Sequence, residues 1–227
     1  MSLDFLSPSS SAPVPARSPL LDPALAAGGR AERQGSWEVA GSFAEPGAEA
    51  AACAETVGFA DLSALTKLEL QWPAEALRSG FDAGRAERLA DGWRCPVRPT
   101  RELLLGEPGR PPAELAELAE GGARSVDLTA ALAAMAIAGP LARETFARFC
   151  ALDLRPARLP VGGFRPGSVA RTPGYVLREG PDRYLMIFGA AYAQYVWELV
   201  ADAAAALGGR PVGGAALPPV EMEGPDA

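Results

Sequence analysis

The chain has 227 residues, 48% of them hydrophobic and 22% charged, enough apolar material for one large domain or two lobes sharing a core. Its formal charge of −7 has the wrong sign for a grip on nucleic acid or an anionic membrane. It contains no histidine, no asparagine and a single lysine, Lys67, which removes histidine-based triads, histidine metal ligands and histidine pH switches, and leaves a P-loop or Schiff-base lysine almost nowhere to sit.

Residues 1–35 are rich in Ser, Pro, Ala and Gly and bury too little to offset their ordering entropy, which predicts a flexible arm or one ordered by draping over a partner. In Ala64-Leu-Thr-Lys-Leu-Glu-Leu70 the period of two puts Leu68 and Leu70 on one face and Lys67 and Glu69 on the other, a half-buried strand. Pro73 opens a short helix to about Gly80. Arg101-Glu-Leu-Leu-Leu105 reads as a buried strand, and Pro111 to Glu120 as a helix with Leu115 and Leu118 inward, stopped by Gly121-Gly122. Ala133 to Ala138 is a strand, followed by a helix from Pro140 carrying Leu141, Phe146 and Phe149. Ser168 to Arg178 and Arg183 to Phe188 read as antiparallel strands linked through Glu179-Gly-Pro-Asp182. From Ala190 to Leu207 the apolar positions Tyr192, Tyr195, Val196, Leu199, Val200, Ala203 and Leu207 follow helical spacing. Residues 214–227 form a Pro-rich acidic tail.

Cys53, Cys95 and Cys150 contain no CxxC pair and read as buried thiols. With no secretory signal and no apolar run of about 18–20 residues, a cytoplasmic protein is expected. Gly162-Gly163 and Gly208-Gly209 lack phosphate-loop spacing and read as plain turns.

The β-α-β-β-α-β grammar occurs twice. Asp61-Leu-Ser-Ala-Leu-Thr-Lys-Leu-Glu-Leu-Gln-Trp-Pro73 can be laid over Asp127-Leu-Thr-Ala-Ala-Leu-Ala-Ala-Met-Ala-Ile-Ala-Gly-Pro140 with one residue inserted. The fold expected is α+β: two ferredoxin-like halves related by a pseudo-twofold, with lobes at about 36–122 and 123–213. Both aspartates precede Ser or Thr ahead of a strand, which points to Asx turns; a ligand role is the alternative.

These residues also carry a family resemblance. Gly58-Phe-Ala-Asp-Leu-Ser-Ala-Leu-Thr-Lys-Leu-Glu-Leu70 is similar to the opening of the aminomethyltransferases, the family of the glycine cleavage T protein and of folate-binding domains in sarcosine and dimethylglycine oxidases. Five further segments resemble one branch, the gamma subunit of heterotetrameric sarcosine oxidase. They are Arg17-Ser-Pro-Leu20; Val126-Asp-Leu-Thr with Gly139-Pro-Leu-Ala-Arg143; Phe149-Cys-Ala-Leu-Asp-Leu-Arg-Pro156; Phe164-Arg-Pro-Gly-Ser-Val-Ala-Arg-Thr172; and Tyr192-Ala-Gln-Tyr-Val-Trp-Glu198. The resemblance covers about residues 17–213 and implies the aminomethyltransferase folate-binding fold.

The departures from the catalytic pattern matter as much. The family's RTGYTGE segment, which lines the folate pocket, is matched by Arg171-Thr-Pro-Gly-Tyr175 with Pro173 inserted and the following TGE lost. Its Asn-x-x-Gly strand has no counterpart in a chain without asparagine, and the catalytic residues stay unknown. The family's C-terminal stretch is echoed only by Pro211-Val-Gly213 and Glu221-Met-Glu-Gly224. On this resemblance the chain is shorter than a T protein and lacks its C-terminal barrel.

Tetrahydrofolate needs a carboxylate for its pterin, aromatic walls for its benzoyl ring and arginines for its glutamate tail. The resemblance makes Glu221 or Glu223, then Tyr175, Tyr184 and Trp197, then Arg171 and Arg178 the candidates, with no metal site. Against each stands a plainer role: Trp197 and Tyr184 as core, the arginines as strand-face charges. Seven residues apart on one straight strand, Arg171 and Arg178 point to opposite faces. Only a bulge at Pro173-Gly174 would bring them together.

The resemblance thus implies a gamma-like accessory subunit in tetrahydrofolate-linked demethylation of sarcosine, with the flavin on partner chains. The alternatives are a stand-alone folate-binding aminomethyltransferase-like protein, active with tetrahydrofolate as cofactor, and a self-associating scaffold. None of these readings involves a nucleic acid or a membrane.

Overall fold

The strand that fixes the architecture has no charged side chain. Leu132–Ala138 is buried over Ala133 to Ala138 on both faces, so it must lie in the middle of a sheet with layers above and below. A computed structural model, which describes residues 14–73 and 82–220, places it there. In chain order the elements are β1 (Ala16–Arg17), α1 (Leu21–Ala26), β2 (Arg30–Gln34), β3 (Trp37–Ser42), α2 (Pro46–Glu55), β4 (Gly58–Asp61), β5 (Thr66–Gln71), β6 (Glu87–Leu89), β7 (Gly92–Arg98) and β8 (Arg101–Gly106). There follow α3 (Leu115–Glu120), β9 (Arg124–Asp127), β10 (Leu132–Ala138), α4 (Ala142–Phe146), β11 (Phe164–Val169), β12 (Thr172–Gly180), β13 (Arg183–Gly189), α5 (Ala193–Ala205) and β14 (Arg210–Pro211).

The strands form a six-stranded sheet in the order β11-β12-β13-β10-β4-β14, a five-stranded sheet in the order β6-β7-β8-β5-β9 and a small sheet β1-β3-β2. Every pair in the five-stranded sheet is antiparallel. Its β7-β8-β5-β9 order is the arrangement a βαββαβ unit produces, and it bears out that part of the sequence grammar. In the six-stranded sheet β12, β13 and β10 take the matching places. The fourth place, beside β10, is filled by β4 from much earlier in the chain, antiparallel to β10. The chain therefore crosses between the six-stranded and five-stranded sheets twice: from β4 at Asp61 into β5, and from β9 at Asp127 into β10.

Side-chain alternation divides the core. Ala133, Met135 and Ile137 of β10 join Phe59, Phe146, Tyr184, Met186, Trp197 and Val200 on the face covered by α1, α4 and α5. On the opposite face Ala134 joins Phe164, Leu177, Leu185 and Ile187, which meet Trp93, Cys95, Leu103 and Leu105 of the five-stranded sheet. The outer face of that second sheet packs Leu68, Leu70 and Leu104 against Leu115 and Leu118 of α3. Each fully buried large apolar side chain contributes roughly 1.5–3 kcal/mol, so both faces of the six-stranded sheet are strongly held. The Glu49 carboxylate ties the C-terminal stretch to α2, accepting from Ala44 N at 2.8 Å and Gly213 N at 2.9 Å.

Four expectations are corrected. The arm expected over residues 1–35 enters the fold at Ala16: β1 pairs with β3, and Leu20, Leu21 and Ala24 are core residues. The strand expected from Ser168 to Arg178 is a hairpin, β11 to β12, turning at Ala170-Arg171 with φ of 50° and 61°. Positive φ at both central residues is the hairpin turn matched to strand twist, normally built with Asn or Gly; Ala170 and Arg171 carry no such signal. Lys67 does not face solvent, because the face it shares with Glu69 lies toward the other sheet; it has no exposure. On α5 the inward face is Ala193, Val196, Trp197, Val200, Ala203 and Ala204, while Tyr192 and Tyr195 are 46% and 44% exposed. The helix expected from Pro73 lies outside the described residues, as do Glu221 and Glu223. Among the described residues no helix is long and apolar enough to cross a membrane.

Candidate functional site

The residues expected to bind a cofactor sit on opposite faces of one sheet. Tyr184 lies on the helix-covered face, 2% exposed, 5.5 Å from the Phe146 ring. Trp197 is on the same side, 4% exposed, stacked on Phe43 at 6.0 Å and edge-on to Phe59 at 5.2 Å. Tyr175 pairs with Ile187 across β12 and β13 and packs toward the five-stranded sheet. It is half-buried, its ring stacked on Phe164 at 5.4 Å and 14°. One strand of backbone thus separates Tyr175 from the other two aromatics.

The two arginines are separated as well, by most of the length of β12. Arg171 is exposed at the tip of the β11–β12 hairpin. Arg178 is buried and held by carbonyls: its Nη1 donates to Leu159 O at 3.0 Å, its Nη2 to Pro181 O at 2.6 Å, and its Nε to Gly180 O at 3.2 Å. Its guanidinium lies 5.8 Å from the Tyr184 ring centre. This arginine closes the Gly180-Pro181 turn, and its donors are committed to that task.

Tyr175 alone opens on a polar rim. Burial pushes its phenol up, the Glu69 carboxylate adds to that, and Arg101 and Arg98 pull it back. Glu69 accepts from Gln71 Nε2 at 2.6 Å and stands 3.9 Å from Arg101 Nη1. A phenol, a carboxylate and two guanidinium groups against an aromatic wall can hold a planar polar ligand or a partner's charged side chain.

On the same face of β5 as Glu69 lies Lys67, the one lysine of the chain. Lys67 Nζ donates to Ser63 O at 2.8 Å and Leu65 O at 2.7 Å, and its backbone N–H donates to Thr129 Oγ1 at 3.0 Å. Burial lowers the ammonium to about 7, with Asp61 and Asp127 pulling the other way. Both aspartates form the expected Asx turns: Asp61 Oδ1 accepts from Ser63 N at 2.9 Å, and Asp127 Oδ1 from Thr129 N at 2.8 Å. The signal for Lys67 was its uniqueness, one lysine in a chain of 227 residues, placed in a strand between leucines.

Among the described residues no group of three His, Cys, Asp or Glu could hold a metal ion. Burial raises all three thiols. A surface recess of about 290 Å³ lies between Arg143, Glu144, Cys150 and Arg155, where Gly139-Pro-Leu-Ala-Arg143 meets Cys150-Ala-Leu-Asp-Leu-Arg-Pro156. Its arginines are paired with Glu144 and Asp153.

No protein-family model and no curated protein matches the sequence. Solved structures do. Glycine cleavage system aminomethyltransferase T from Bartonella henselae superposes with a TM-score of 0.69 at 16% identity, over 88% of this chain and 60% of that one. The fold is the aminomethyltransferase fold. A chain of the heterotetrameric sarcosine oxidase from Corynebacterium sp. U-96 matches with a TM-score of 0.58 at 20% identity, over 71% of this chain and 92% of that one. This chain spans about three-fifths of the length of the aminomethyltransferase, and nearly all of the sarcosine oxidase chain. On this aminomethyltransferase fold the expected folate set does not converge: of Arg171, Tyr175, Tyr184 and Trp197, only Tyr175 reaches the rim between the sheets.

Proposed function

We propose that this chain is an accessory, gamma-like subunit of a cytoplasmic complex that oxidatively demethylates sarcosine and passes the one-carbon unit to tetrahydrofolate. It supplies no catalytic centre of its own, and the flavin belongs to partner chains. The observation that carries this reading is the separation of Tyr175 from Tyr184 and Trp197 by the six-stranded sheet, with Arg178 committed to carbonyls. A folate site needs its aromatic walls and its charges to converge; these residues do not. The near-complete coverage of a chain from a heterotetrameric oxidase supports partnership over independent action.

The test is purification of the tagged chain from its own cells, following flavin absorbance and sarcosine-dependent oxygen consumption. Both should copurify with the chain. A flavin-free chain with no such activity in the preparation would overturn the reading.

One observation favours a second reading, a folate-binding protein acting alone. The Tyr175 rim pairs an aromatic wall with Glu69, Arg98 and Arg101, the types of group a pterin and a glutamate tail require. Direct binding of tetrahydrofolate to the isolated chain distinguishes the two.

A further inference from the structure

The two crossovers between the sheets meet at Lys67. Its side chain is fully buried, and the acceptors of its amine are two, Ser63 O and Leu65 O. A neutral amine has two N–H groups and both are satisfied there. An ammonium has three, and a buried donor without a partner is expensive. The Asp61 carboxyl, on a residue only 1% exposed, acts on this amine and keeps an oxygen, Oδ2, without a geometric hydrogen-bond partner among the described residues. Burial raises that carboxyl, while the Ser18 and Ser63 side chains and the Lys67 charge pull it down.

We infer that Lys67 is held as a neutral amine in the folded protein, and that its protonation works a latch on the crossovers by drawing the Asp61 carboxyl to the new ammonium. The proton comes from solvent and stays on Nζ; no bond is made or broken beyond the N–H. The moving part is the β4–β5 connection, since Nζ grips Ser63 O and Leu65 O while Asp61 ends β4. The second crossover feels the same event, because Lys67 N donates to Thr129 Oγ1 and Lys67 O accepts from Leu128 N at 2.8 Å.

The charged groups around the amine are few. Asp61 at the end of β4 and Asp127 at the end of β9 both act on it. On β8, Arg101 is turned to Glu69, and Glu102 is on the other face with Arg94 at 2.7 Å. On β9, Arg124 is exposed. Burial is the dominant influence and brings the amine to about 7, so the latch works near neutrality.

A chain with one lysine offers a direct test. Protein labelled with carbon-13 at the lysine ε position gives one resonance in the NMR spectrum, to be followed from pH 5 to pH 11. The expected midpoint lies near 7, with the amide signals of Asp61 to Leu65 and of Leu128 and Thr129 moving at the same midpoint. Asp61→Asn, which keeps the turn acceptor but removes the charge, should lower the midpoint further. A midpoint near 10.5, amide signals that stay still, or a midpoint indifferent to Asp61→Asn would each overturn the latch. The titration of the unaltered chain stands even if the variant does not fold.

Discussion

Tyr175 and Tyr184 are the same residue type on adjacent strands of one sheet, and they live in different solvents. Tyr184 is sealed under α4 and α5 with Phe146 and Arg178 against its ring. Tyr175 is stacked on Phe164 and half-buried, and its phenol feels the charges of Glu69, Arg98 and Arg101. The difference arises from register. Tyr175 lies opposite Ile187, and Tyr184 opposite Arg178, so the period of two sends one ring to each face. An aromatic that stabilises a core and an aromatic that can meet a ligand are told apart here by which layer covers the strand, not by residue type.

The comparison can be broken most forcefully from the helix face. Trp197→Ala should lower stability by about 3–5 kcal/mol, as for other buried aromatics, in denaturant unfolding. A loss below about 1 kcal/mol would mean that this face is not the core described. Next in size is Lys67→Met. The ammonium is lowered in the folded chain, from 10.5 to about 7, so between those values the unfolded chain binds more protons and stability rises with pH. The penalty is full below about pH 7 and fades as pH climbs. Lys67→Met should therefore be more stable than the parent at pH 6 and lose that upward slope, which thermal melts from pH 6 to pH 10 can measure.

On the sheet-facing side, Tyr175→Ala should cost about 1–2 kcal/mol, since a half-buried ring forfeits less apolar area, and Tyr175→Phe close to nothing. If Tyr175→Ala matched Trp197→Ala in unfolding experiments, the contrast between the faces would be lost. The two Asx turns give a parallel contrast. Asp61→Ala strands the N–H of fully buried Ser63 and should cost about 1–3 kcal/mol. Asp127→Ala, on an exposed edge strand, should cost about 0.5–1 kcal/mol by the same measurement.

Much of the frame was legible beforehand because it depends on local chemistry. The apolar run of β10, the Gly-Pro-Asp turn between β12 and β13 and the paired Asp-Leu-Ser/Thr turns each carry their cause within a few residues. The β11–β12 hairpin was not legible, since Ala170 and Arg171 adopt positive φ without Gly or Asn to announce it. Residues 16–35 read as an arm by composition, yet Leu20 and Leu21 find a core prepared by elements far along the chain. Lys67 read as outward because charge normally marks the wet face. Its burial depends on a second sheet that no local window contains. The same limit governed the candidate site: residue types suited to a folate were recognisable, but their distribution over two faces follows from pairing between β12 and β13.

The proposed accessory role requires that Tyr175, Tyr184 and Trp197, held on opposite faces of one sheet, form no folate site in the chain alone. Isothermal titration of the purified chain with tetrahydrofolate, with Tyr175→Ala alongside, tests it most directly. No heat of binding up to millimolar folate is the predicted result. Binding at micromolar strength or tighter, abolished in Tyr175→Ala, would contradict it and make the rim between the sheets a working folate pocket.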